Sequence, residues 1–106
     1  MRSNENNMNR KIAISRAKKL LKRIPQWKLK KDGKTIYRIY KMKNFAAAVD
    51  LIGRIALIAD GMDHHPGIHL TCYRMLRVTL TTDDIGGLSH KDFSEARAIN
   101  KLTGDH

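Results

Sequence analysis

Apolar and polar positions recur with two periods along this chain, and the switches between them mark its elements. From Arg10 onward, Ile14, Ala17, Leu20, Leu21 and Ile24 fall at helical spacing, with Lys11, Lys18, Lys19, Lys22 and Arg23 on the remaining surface. Pro25 ends that pattern. Trp27–Lys30 and Thr35–Tyr40 then alternate with the period of half-buried strands. Asp32-Gly33 stands between them, and this dipeptide predicts a hairpin closed by a type I′ turn with positive φ at both central residues. The longest helix is predicted from Lys43 or Asn44 to about Asp63. Phe45, Val49, Ile52, Ala56 and Ala59 make one apolar face, and Ala47, Leu51, Ile55, Ile58 and Met62 widen it.

After Pro66, Ile68, Leu70 and Cys72 share one parity, and Leu76, Val78 and Leu80 share another. They predict two more strands with a turn near Arg74-Met75. Gly86-Gly87 breaks the pattern, and Ser89-His90-Lys91-Asp92 has the form of a capping box. A last helix over about His90–Leu102 turns Phe93, Ala96, Ile99 and Leu102 inward, and Gly104 ends it. The order α-β-β-α-β-β-α predicts an α+β fold, a four-stranded antiparallel sheet with its helices on one face. Residues 1–9, polar and rich in Asn, are expected to be a disordered lead-in to a single domain over 10–106.

A length of 106 residues fits one domain. One cysteine, Cys72, allows no internal disulfide and no cysteine-based zinc site, and mid-strand it reads as a buried, inert thiol. The chain has no apolar run long enough for a membrane span, so a cytoplasmic setting is expected. The net charge of +11 is uneven. Residues 1–43 carry 15 Lys/Arg against Glu5 and Asp32, whereas residues 44–106 are slightly acidic. Lys18, Lys19, Lys22 and Arg23 are therefore candidates for binding an acidic partner, with a merely solvated basic face as the alternative. Nucleic acid is a weaker option. The unusually apolar long helix predicts a homo-oligomer, because one domain of this size cannot cover it on all sides.

Chemistry concentrates in His64-His65-Pro66, two groups that titrate near neutral pH placed at a helix end. A metal site is poorly supported: Asp60 and His64 lie four apart and could share an ion, but no third ligand is defined. Ser89 and Ser94 near His90 lack the context of a nucleophilic triad. Proton transfer by the histidine pair remains, oriented by Asp60 or Asp92. The plainer reading is that His64 caps the helix and His65 fills a turn.

Asp60-x-x-x-His64-His65-Pro66, the spaced Tyr73, then Thr82 and Gly86-Gly87-Leu88-Ser89-x-x-Asp92 resemble the signature of the pterin-4a-carbinolamine dehydratases. Trp27, Lys43-Asn44-Phe45 and Ala96 extend the resemblance over residues 12–102. It implies dehydration of 4a-hydroxytetrahydropterin to quinonoid dihydropterin, with the pterin as substrate and neither cofactor nor metal required. It also implies dimers joined through their sheets and tetramers joined through the long helices. By the same resemblance, His64 is an acid/base group and His65 orients the pterin. Asp60, Pro66, Tyr73, Thr82 and Asp92 support or line the site.

Two departures stand out. The family usually places a third active-site histidine after Thr82, where this chain has Asp83, a carboxylate that accepts a proton readily and donates one poorly. The first helix is also more basic than the family leads one to expect. Both fit an alternative role as a non-catalytic binding cofactor or assembly chaperone, as in pterin-dehydratase-like proteins that assist Rubisco assembly in carboxysomes. The residues do not place the chain in that branch.

Overall fold

A computed structural model describes residues 10–105, so the expectation for residues 1–9 lies outside the described residues. Helix α1 spans Ile14–Leu21, and strands β1 (Lys28–Leu29) and β2 (Ile36–Lys41) follow. Helix α2 spans Phe45–Met62, and strands β3 (Gly67–Thr71) and β4 (Met75–Leu80) come next. A 3-10 turn at Asp83–Ile85 leads into helix α3, His90–Leu102. The sheet order is β1-β2-β4-β3, antiparallel throughout. The α+β architecture is the one the periodicities predict.

Cross-strand rows set the packed face. Arg38 lies opposite Val78, which lies opposite Ile68, and Tyr40, Leu76 and Leu70 form the next row. These residues turn toward the helices, while Ile39 and Arg77 stand exposed on the other face. Ile36, Leu76, Val78 and Leu80 form the floor of the core, against Leu51 and Ile55 of α2 and Ala96 and Ile99 of α3. Two-period alternation therefore dictates a one-sided sheet.

Four local expectations need correction. Of Asp32-Gly33 only Gly33 is left-handed (φ 70°), so no type I′ turn forms. The Asp32 carboxylate accepts from the Lys34 N–H (2.8 Å), and the chain closes more widely, with the Lys30 N–H on the Thr35 carbonyl (2.9 Å). Ile14 stands half exposed and covers that turn: a Cβ on Gly33 would lie 2.7 Å from its Cδ1. Cys72 is exposed, and it shares the β3–β4 turn with Tyr73, both left-handed (φ 48° and 53°). On α2 the buried stripe is Ala48, Leu51, Ile55 and Ala59, leaving Phe45, Val49 and Ala56 outward.

Candidate active site

The site forms where the end of α2 meets the start of α3. Asp63 takes the left-handed conformation (φ 52°), and the His64 N–H returns to the Ala59 carbonyl (3.1 Å). This closure ends α2 one residue before the histidine pair and turns the chain across α3. On the other side, β4 runs into Thr82, whose N–H meets the Gly87 carbonyl (2.9 Å) around the 3-10 turn. Gly86 supplies the positive φ (65°) that the turn needs. The chain then enters α3 through Ser89, whose side chain and Asp92 form the expected capping box.

Asp92 has a second task beyond the cap. Its Oδ2 accepts from the Ser89 N–H (3.0 Å) and the Thr82 hydroxyl (2.8 Å), and its Oδ1 meets His64 Nε2 at 2.6 Å. The Ser89 and Thr82 hydroxyls lie 2.7 Å apart and link the two loops. Asp92 is fully buried. The N-terminus of α3 adds a favourable field for its negative charge. A carboxylate that only accepts fixes the tautomer of its partner: Nε2 of His64 carries hydrogen, and Nδ1 is left for other work.

His65 is differently placed. Its Nε2 meets Asp60 Oδ1 at 2.9 Å, with side chains 60% and 74% exposed, against 11% for His64. Asp60 therefore serves His65, and the shared metal face weighed for Asp60 and His64 does not form, because α2 has ended between them. Among the described residues no group of three or more His, Cys, Asp or Glu is placed to hold an ion.

The structure brings His64, Thr82 and Asp92 together, and His65 and Asp60 beside them. It does not bring in every residue the sequence suggests. Asp83 lies exposed on the 3-10 turn and is not a hydrogen-bond partner of either histidine. Pro66 leads into β3 next to His65, whereas Tyr73 is 60% exposed at the opposite end of that strand. The five residues of β3, at ~3.3 Å each, put its two ends on the order of 17 Å apart, and Tyr73 lies beyond the far one. Lys18, Lys19, Lys22 and Arg23 are exposed on and just after α1.

One site residue is absent from the sequence-based set. Glu95, one turn beyond Asp92 on α3, is fully buried, and neither of its carboxyl oxygens has a hydrogen-bond partner. Burial pushes its pKa up to about 7. A cation on His64 would act in the opposite sense, Asp92 raises it further, and a cation on His65 would lower it. A signal for it existed: Glu95 is spaced i+3 from Asp92 and i+4 before Ile99, which puts it on the inner face of α3.

Comparison with known proteins agrees with this arrangement. The family model described as pterin 4 alpha carbinolamine dehydratase matches residues 10–102. A Chloroflexus aggregans protein that bears the provisional name of a pterin-4-alpha-carbinolamine dehydratase is 39% identical over 80 residues, covering 76% of this chain and 83% of that protein. A Picosynechococcus protein with the same provisional name is 42% identical over 82 residues, covering 77% and 86%. Among solved structures, a transcriptional coactivator/pterin dehydratase from Brucella melitensis superposes with a TM-score of 0.81 at 28% identity, covering 88% of this chain and 98% of that one. A pterin dehydratase-like RuBisCO assembly factor of the alpha-carboxysome shares the fold, with a TM-score of 0.64 at 15% identity over 76% and 93%. With the sequence signature and the buried His64–Asp92 pair already in hand, these matches establish that the chain belongs to the pterin-4a-carbinolamine dehydratase family.

Proposed function

We propose that this protein dehydrates 4a-hydroxytetrahydropterin to quinonoid dihydropterin, with His64 as its principal acid/base group. In that reaction the C4a–O bond breaks and the hydroxyl takes a proton to leave as water. The N5–H proton is lost as the C4a=N5 double bond forms. One group must give a proton and one must take it, and imidazoles do both near neutral pH. The single observation that supports the assignment most is the 2.6 Å contact of His64 with the buried Asp92, which fixes one tautomer and the orientation of the ring. His65, open to solvent on Asp60, has the freedom to meet and orient the pterin.

Stopped-flow dehydration of the carbinolamine tests the reading. The protein is expected to accelerate it over buffer, and a rate equal to the uncatalysed one overturns the assignment. Asp83→His is expected to raise the rate, by returning an acid to the turn after Thr82. We propose further that the protein is a homo-oligomer. The edge strand β3 has a free side, and Phe45, Val49 and Leu57 leave an apolar outer face on α2.

A second reading, partner binding, has its own observation. A cavity of about 270 Å³ between α1 and α3 is ringed by Arg16, Arg23 and Arg97 over Leu20, Ile24 and Phe93, with no carboxylate in its lining. Of the four cations singled out in the sequence, Arg23 lines it, and the neighbouring lysines extend the positive surface. An acidic protein segment with apolar side chains fits that chemistry. Retention of the protein by a polyglutamate matrix, lost on reversing Arg16, Arg23 and Arg97 to Glu, supports the reading. Retention unchanged by the reversal, or only on duplex DNA, sinks it.

A further inference from the structure

A carboxyl group buried without a hydrogen bond is expensive, and an apolar side chain of similar size in its place is ordinarily more stable. Glu95 is such a group, and nothing in the capping box or in the Asp92 network uses it. Its surroundings are not those of an inert core residue. The titratable groups near it are Asp92 on its own helix, also fully buried, and His64 and His65 on the segment after α2. Glu95 stands one helical turn from Asp92 on the inner face of α3, and Asp92 Oδ1 meets His64 Nε2 at 2.6 Å.

We propose that Glu95 is a positioning residue of the site, a buried counter-charge that, when ionised, holds His64 in its cationic, proton-donating form. The inference rests on the dehydratase reading for its consequence in catalysis, but not for its electrostatics. With Glu95 neutral, His64 has the one negative charge of Asp92 to offset its own. With Glu95 ionised, it has two, in a setting where burial strengthens both. The coupling runs both ways: a cation on His64 makes Glu95 easier to ionise, so a proton can settle on either group. Because Glu95 changes state near neutrality, it ties the proton-donating form of His64 to the pH of the surroundings.

Such a device has a use in this chain. The turn after Thr82 carries Asp83, which stands exposed and is a hydrogen-bond partner of neither histidine. A second buried carboxyl that keeps His64 charged over a wider pH range would concentrate the acid function on that one imidazole.

The decisive variant is Glu95→Gln, which keeps the shape and removes the charge. Imidazole ¹⁵N shifts at about pH 7.5 report the fraction of His64 that is protonated, whether or not any dehydration occurs. That fraction is expected to fall several-fold in Glu95→Gln and in Glu95→Leu, and to recover in Glu95→Asp. In the stopped-flow assay, the high-pH limb of the kcat profile moves about one pH unit lower, about a tenfold loss there, with KM little changed. Should Glu95→Gln fail to fold, Glu95→Leu gives the same reading without a buried polar group. Unchanged protonation of His64 in the folded variants overturns the proposal. If the wild type proves inactive while the ¹⁵N shifts respond as expected, the dehydratase reading fails and the coupling stands.

Discussion

Two adjacent imidazoles, each on a carboxylate, are held differently in this fold because their carboxylates stand in different places. His64 meets an acid that is fully buried, capped by a helix start and supplied with two further hydrogen bonds. His65 meets one that is three-quarters exposed, on a helix end. An ion pair in solvent contributes little, typically under 1 kcal/mol, because water screens it and the side chains lose freedom to hold it. A buried hydrogen-bonded charge is costly to disturb, since removing one partner strands the others. The contrast gives His64 rigidity and His65 adaptability, and on the proposed reading it leaves the acid/base chemistry to His64.

The largest break comes at Asp92. Asp92→Ala strands the Ser89 N–H and the His64 ring at once and takes from the Thr82 hydroxyl one of its two partners. It should cost about 3 kcal/mol in stability, read from urea unfolding, and essentially all dehydration. His64→Ala comes next, with a loss in kcat of roughly 10²–10⁴-fold, the usual worth of an acid/base group. His65→Ala is expected to act more through KM, as befits an orienting group. Equal losses in kcat for the two histidine variants would mean that His64 and His65 share the chemistry equally.

Glu95 sharpens the contrast through pH. Its folded pKa is raised to about 7 from an ordinary value of 4.5. Below that ordinary value both folded and unfolded chains hold the proton, and burial carries no ionic cost. Between the two values the unfolded chain ionises first, so stability falls as pH rises and is lost in full above the folded value. The loss is at most about 3 kcal/mol. The stability difference between wild type and Glu95→Leu, followed from about pH 4.5 to pH 8, should therefore grow with pH in favour of the leucine variant. A difference independent of pH sinks the assignment of a neutral buried acid.

How much of this was legible in the sequence differs between the elements and the side chains. Period-two runs at Thr35–Tyr40 and Leu76–Leu80, and the Ser89/Asp92 capping box, carry their own local physics, so the sheet and the start of α3 could be read directly. The hairpin turns were harder. Asp32-Gly33 is a strong local signal, yet a second local bond, Asp32 to the Lys34 N–H, competes with it, and Ile14 closes over Gly33 from far away in sequence. The faces of α2 are hard to phase because Asp50, Arg54 and Asp60 are its only charged residues, and Phe45, Val49 and Leu57 stand exposed among them. His64, His65 and Asp92 were legible as chemistry. The pairing of Asp60 with His65 was not, because α2 stops at Met62 and the i,i+4 relation to His64 lapses there. Glu95 escaped because a charged residue is read as surface, although its spacing placed it inside.

The smallest expected effect tests the open half of the site. Asp60→Asn removes the charge opposite His65 and keeps a hydrogen-bond acceptor in its place. Because both side chains are solvated, stability should change by less than about 0.5 kcal/mol. The same substitution lowers the attraction that holds the His65 ring over the end of α2, so KM for the pterin should rise modestly, by about threefold, while kcat stays near its wild-type value. Raised salt should mimic the substitution, since screening weakens the same pair in the wild type and has little left to weaken in Asp60→Asn. A salt response confined to the wild type therefore locates the effect in the exposed pair. An equal response in both proteins moves it elsewhere, to the basic surface between α1 and α3, where Arg16, Arg23 and Arg97 would meet an anion first.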